Sequence, residues 1–136
     1  MVSVKVCWDG NLGKRHSFSL ANNTMKEKLP IHFKRFVERY PDVWEAHQKL
    51  TIACAESGPL DRKTRELIKV AISGTAGMET ALQRHAIMAV KEGASEEEVY
   101  QTILMLITTV GFPKAAAAMK WAQSSLEAES GQSHDK

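Results

Sequence analysis

From residue 29 onward, apolar side chains recur every three or four positions, the spacing of helices that bury one face. Residues 29–40 place Leu29, Phe33, Phe36, Val37 and Tyr40 on such a face, and Pro41 stops the run. Asp42 is positioned to cap a second helix carrying Val43, Trp44, Leu50, Ala53 and Cys54, which ends at Gly58-Pro59. Asp61 opens a third with Leu67, Ile68, Val70, Ala71 and Ile72, closing near Gly74 or Gly77. A fourth runs from about Met78 to Gly93, a residue suited to a left-handed C-cap. Ser95 and Glu98 then form a capping box, in which each side chain satisfies the other residue's backbone N–H. The fifth helix follows with Val99, Ile103, Leu104, Leu106, Ile107 and Val110 as far as Gly111. Pro113 suits the first turn of a sixth, through residues 115–118, Met119 and Trp121, with fraying expected over residues 124–136. The prediction is an all-α protein: about six helices in one domain spanning residues 25–128, with a flexible tail at 129–136.

Residues 1–24 follow a different period. Val2, Val4 and Val6 alternate with Ser3, Lys5 and Cys7, Asp9-Gly10-Asn11 supplies turn chemistry, and residues 17–20 alternate again. This reads as a short β-hairpin arm. Two strands alone are marginal in water, so such an arm packs on the body, pairs with another subunit or stays loose. Residues 67–72, 86–90 and 103–107 are nearly unbroken apolar runs. Helices of that kind are buried on more than one side, which in a short chain points to a homo-oligomer.

Composition narrows the function classes. With 136 residues, 43% hydrophobic and 25% charged, the chain can bury a core without disulfides or a structural metal. The uncharged stretch around residues 103–113 falls well short of the roughly 20 residues of a membrane helix, and Met1 to Gly10 lacks a signal-peptide core, so a cytoplasmic protein without membrane contact is expected. The net charge of +2 conceals an asymmetry: residues 1–41 hold eight Lys/Arg against three Asp/Glu. That basic end is diffuse and lacks a stacking or helical recognition module, which argues against nucleic acid as a partner. Cys7 and Cys54 are too far apart in sequence for a Cys-x-x-Cys redox pair or zinc-ligand spacing, so no metal is expected. Cys54 reads as an inert buried thiol, and Met78, Met88, Met105 and Met119 as core fillers.

Three ionisable residues lie on or beside apolar faces. On the fourth helix Met78, Ala81, Leu82, His85, Met88 and Ala89 share one stripe, with His85 in its middle and Arg84 about 100° away around the axis. Glu66 on the third helix sits beside Leu67, one turn before Val70, and Arg62 one turn earlier is a convenient ion-pair partner. Taken singly, a solvated glutamate and a satisfied core histidine are the ordinary readings. Taken together, the two occupy consecutive helices joined by a short connection and can face each other across the helical hairpin. A carboxylate bonded to one imidazole nitrogen fixes the tautomer and makes the other nitrogen a better base.

These residues resemble the carboxymuconolactone decarboxylase superfamily, which includes the alkylhydroperoxidase D-like proteins, over about residues 42–123. The resemblance is carried by residues 60–68 (Leu-Asp-Arg-Lys-Thr-Arg-Glu-Leu-Ile), by Arg84-His85, by residues 92–98 and by Gly111-Phe112-Pro113. It implies an all-helical fold built around an antiparallel helical hairpin, assembled as a homotrimer or homohexamer, acting on a small-molecule substrate. In the peroxidase branch a Glu is followed twelve residues later by a Cys-x-x-Cys pair and then by a His. Here Glu66 and His85 hold the outer positions, while Met78 and Ala81 stand where that branch has its cysteines. Neither side chain can form the thiolate that attacks a peroxide, which disfavours the peroxiredoxin-like reaction.

The decarboxylase branch also lacks the cysteine pair. The resemblance to it implies lyase chemistry without a cofactor, in which carbon dioxide leaves a lactone acid, the electron pair passes into a conjugated carbonyl, and a proton is delivered to carbon. His85 is then the acid, Glu66 its orienting partner, and Arg62, Arg65 and Arg84 the candidates for binding substrate carboxylates. This chain departs from many decarboxylases at Ile87, where they carry Arg, and at residues 53–56, Ala-Cys-Ala-Glu. The pocket is expected to be more apolar and less anion-binding. Three functional readings stand at this point: acid/base chemistry on a small organic acid or lactone through Glu66 and His85, an antioxidant acting through Cys7 or Cys54, and a non-catalytic oligomeric binding protein.

Overall fold

A computed structural model describes residues 31–132; the arm predicted for residues 1–24, together with Cys7 and residues 133–136 of the predicted tail, lies outside them. The described residues form seven α-helices: α1 (Ile31–Arg39), α2 (Pro41–Glu56), α3 (Arg62–Ala76), α4 (Glu79–Lys91), α5 (Glu96–Leu104), α6 (Ile107–Val110) and α7 (Phe112–Gln132). The architecture is all-α, and the chain divides into two compact units, Met1–Leu50 and Thr51–Lys136.

Within the first unit, Pro41 separates α1 from α2 as its missing N–H and fixed φ require at a helix start. Val37 is buried, and Phe33 meets Trp44 edge to face at 5.1 Å between ring centroids. The predicted buried face of α2 is not realised: Val43 and Leu50 are exposed, as is Cys54. An apolar stripe calls for a cover without specifying that the cover is the core of the same chain.

In the second unit α3 and α4 make the helical hairpin. Asp61 caps α3 by accepting from the Thr64 N–H at 2.7 Å, and Gly77 ends it in the left-handed conformation at φ 70°. Only Gly77 and Met78 separate the two helices, so α4 runs back along α3. Gly93, at φ 97°, closes α4, and both halves of the Ser95–Glu98 capping box form at the start of α5. The core is made of Val70 from α3, Leu82, Ala86 and Ala89 from α4, Val99 and Ile103 from α5, Leu106, and Ala115, Ala118, Ala122 and Leu126 from α7. Lys114 of α7 donates to the Thr75 carbonyl at the C-terminal end of α3, where the orphan carbonyls of a helix favour a cation.

Three details differ from the pattern-based prediction. The single fifth helix is two, because Met105 and Leu106 tighten into a turn in which the Leu106 N–H bonds the Ile103 carbonyl. This break swings Leu106 into the core and leaves Leu104, Met105 and Ile107 exposed. The last helix does not fray at residue 124 but continues to Gln132, because Leu126 extends the buried row of Ala115, Ala118 and Ala122 by one more turn. Met78 and Met105 are exposed rather than core, while Met88 and Met119 are partly buried.

Gly74 lies in the interior of α3 because α3 and α7 approach too closely for a side chain. A Cβ there would sit 3.0 Å from Leu106 Cδ2, 3.2 Å from Ala118 Cβ and 3.3 Å from Leu82 Cδ1. Gly74→Val is therefore expected to lower stability by about 1–3 kcal/mol through overpacking. Urea denaturation checks this: a lower midpoint at constant slope is expected, and an unchanged midpoint would show that the contact is not tight.

Candidate active site

The face that α3 presents to α4 carries a ladder of charged groups. At its start, Arg62 lies 3.6 Å from Glu92, near the end of α4. One turn on, Glu66 Oε2 lies 2.7 Å from Nδ1 of His85. A further turn along, Lys69 donates to the other oxygen of the same carboxylate, Oε1, also at 2.7 Å. The antiparallel hairpin produces the order of the two cross-helix rungs: Arg62 and Glu66, one turn apart on α3, meet Glu92 and His85, two turns apart on α4, while Lys69 joins Glu66 along α3 itself.

Glu66 keeps only 14% of its side chain exposed, and His85 25%. Burial pushes the Glu66 carboxyl upward, but the hydrogen bonds from His85 and Lys69, reinforced by nearby positive charge, outweigh it and hold the carboxyl below the ordinary carboxylate range. With both oxygens of an ionised Glu66 accepting, the bond to His85 runs from an Nδ1–H donor. In the neutral ring, Nε2 is then the nitrogen that carries the lone pair.

Ala81, one turn before His85 on α4, is partly buried, and Met78 caps the helix at the exposed edge. Arg62 shares the ladder but faces Glu92. Arg65 is committed elsewhere: its Nη1 donates to the Ala55 and Leu60 carbonyls at 2.8 and 2.9 Å, tying down the turn that precedes α3. Arg84 is exposed and has no ion pair among the described residues. Sequence reasoning passed over Lys69. The Glu66/Lys69 spacing of three carries a signal for this pair, alongside Arg62 at a spacing of four on the other side. Lys63 was also missed, and it joins α3 to α5 through Glu98 at 2.9 Å.

The lowered Glu66 carboxyl links this site to folding. Its pairing contributes stability that is complete above the ordinary glutamate range and is lost as pH falls through the lower folded-state value. The melting temperature of wild type should therefore exceed that of Glu66→Gln near neutral pH, and the gap should narrow as the pH falls below the ordinary glutamate range. A gap of constant size over that span would mean that Glu66 is not held as a carboxylate.

Comparison with known proteins agrees with this architecture. The sequence model of the carboxymuconolactone decarboxylase family matches residues 38–124. An uncharacterised protein of Methanocaldococcus jannaschii is 32% identical over 84 residues, which are 61% of this chain and 81% of that protein. An uncharacterised protein of Haemophilus influenzae is 41% identical over 54 residues, 40% of this chain and 48% of that protein. Among solved structures, the apo form of a carboxymuconolactone decarboxylase family protein from Legionella pneumophila superposes with a TM-score of 0.63 at 24% identity, covering 76% of this chain and 95% of that one. The fold is shared with that protein, and the matched segment contains the whole α3–α4 hairpin with Glu66 and His85. The chain belongs to the carboxymuconolactone decarboxylase family.

Proposed function

We propose that this chain is an enzyme of the family's thiol-free kind, using Glu66 and His85 for cofactor-independent, lyase-type acid/base chemistry on a small organic acid or lactone. The observation that carries the reading is the 2.7 Å bond from His85 Nδ1 to a Glu66 carboxylate that is largely withdrawn from solvent. A glutamate turned to solvent and a histidine packed among apolar groups would have favoured a binding scaffold. In decarboxylation, the electron pair of the breaking C–C bond passes into the substrate's conjugated carbonyl. Protonated His85 then delivers its Nε2 proton to carbon and returns to the neutral form that Glu66 orients. Met78 and Ala81 supply no thiol, and the exposed Cys54 lies on α2, apart from the pair in sequence and element.

The protein is further proposed to work as a homo-oligomer. Ile68 and Ile72 on α3, Leu104 at the end of α5, Met105, Ile107 on α6 and Phe112 at the start of α7 are each 36–66% exposed in the single chain. That many large apolar side chains facing water fits subunit contacts better than a monomer's surface. No helix among the described residues is long and apolar enough to cross a membrane.

A panel of small lactones and unsaturated carboxylic acids, scored by carbon dioxide release and by solvent-deuterium incorporation, tests the chemistry. His85→Ala should reduce turnover about 10²-fold or more, the usual contribution of a positioned acid/base group, in a protein that still folds, with a lowered melting temperature. An inactive parent combined with an unfolded His85→Ala protein would instead assign His85 a structural role. Light scattering tests assembly: a multiple of the 15.1 kDa chain mass is expected, reduced by Ile72→Lys, and a monomeric wild type would refute the oligomer.

A further inference from the structure

We infer, on the footing that the Glu66–His85 pair is the functional site, that Lys69 is a substrate-binding residue whose ammonium holds a carboxylate of the substrate beside His85. Lys69 Nζ donates to Glu66 Oε1 at 2.7 Å, while His85 Nδ1 bonds Oε2 of the same carboxylate, also at 2.7 Å. Ammonium and imidazole therefore lie within about 8 Å of each other, a span that one small acid bridges. An ammonium has three donor protons, Glu66 takes one of them, and 40% of the Lys69 side chain is open to solvent. A second carboxylate can thus dock on Lys69 without displacing Glu66.

The three arginines that the sequence suggests for this task are placed otherwise. Arg65 donates to the Ala55 and Leu60 carbonyls, Arg62 stands one turn before Glu66 against Glu92, and Arg84 is turned about 100° from His85 around α4. Charge balance points the same way. With His85 protonated, as delivery of a proton requires, the ionised Glu66, His85 and Lys69 together carry one net positive charge, which one carboxylate matches. Without Lys69 the protonated pair would be neutral and would offer an anion nothing. The carboxylate held in this way is one that survives the reaction. A cation bound to the leaving carboxylate would stabilise the ground state and oppose the passage of its electron pair into the conjugated carbonyl.

Sorbate, a conjugated monocarboxylate, and its neutral amide sorbamide serve as probes, followed by NMR through the Lys69 Cε–H and His85 ring signals at low salt. Sorbate should shift both signals and bind about fivefold or more tightly than sorbamide, with the ratio falling as salt is added. Lys69→Met should bring sorbate down to the level of sorbamide while leaving the affinity for sorbamide unchanged, and Lys69→Arg should keep the preference for the acid. Equal affinities of the wild type for the two probes, or an unchanged ratio in Lys69→Met, would overturn the inference. So would the absence of any shift up to about 20 mM sorbate, weaker than a single ion pair in this setting allows. Should Lys69→Met fail to fold, Lys69→Gln keeps a donor toward Glu66 without the charge, and the same outcomes decide. Turnover separates this inference from the reading beneath it. Acids turned over by wild type and not by His85→Ala, with the preference for sorbate unchanged in Lys69→Met, would keep the pair and remove Lys69. A preference that depends on Lys69 in a protein that turns nothing over would keep the carboxylate site and remove the catalytic reading.

Discussion

A carboxylate with 14% of its side chain exposed has to be compensated, and the way Glu66 is compensated organises the second unit of this protein. Water no longer solvates the charge adequately, so it is shared between His85 across the hairpin and Lys69 along its own helix. That sharing requires α3 and α4 to run antiparallel at close range and in one register. The short Gly77-Met78 connection, the left-handed φ at Gly77 and the absence of a side chain at Gly74 supply those conditions. Slipping α4 by one residue would rotate His85 about 100° away from the carboxylate and leave a charge half desolvated.

The small-residue row of α7 belongs to the same constraint. Ala115, Ala118 and Ala122 are buried at intervals of three and four, allowing the last helix to lie close against the hairpin and hold it from behind. The capping box at Ser95 and the Lys63–Glu98 ion pair anchor α5 at the start of α3, beside Arg62 and one turn from Glu66. The polar ladder and the alanine-lined core are thus two sides of one hairpin: packing sets the register, and the register sets the distance between Glu66 and His85. Met78 and Ala81, at the start of α4, add no thiol beside that pair.

Much of this was legible in the amino-acid sequence because local chemistry and burial agree there. Asp61, Gly93 and the Ser95–Glu98 box mark helix ends by their own hydrogen-bonding, and each does so in the structure. Glu66 and His85 were legible because ionisable groups on apolar faces stand out against the period. What remained hidden depended on the identity of a neighbour. Lys69 looks like an ordinary solvated lysine until the rotamer of Glu66 is known, and Arg65 looks like a ligand-binding arginine until its carbonyl partners appear. The break at Met105–Leu106 carries no proline or glycine, so only the pull of the core on Leu106 explains it. The apolar face of α2 shows the converse error, since a stripe reports that something is to be covered without saying by what.

Glu66 and His85 form one interacting unit across the hairpin, bonded at 2.7 Å. A double-mutant cycle on folding stability measures this most directly, using Glu66→Ala, His85→Ala and the double variant near neutral pH. Charge-assisted hydrogen bonds of this kind predict a coupling of about 1.5–3 kcal/mol, with the double variant less destabilised than the sum of the two single changes. Additive effects, within about 0.5 kcal/mol, would show instead that the two side chains act independently.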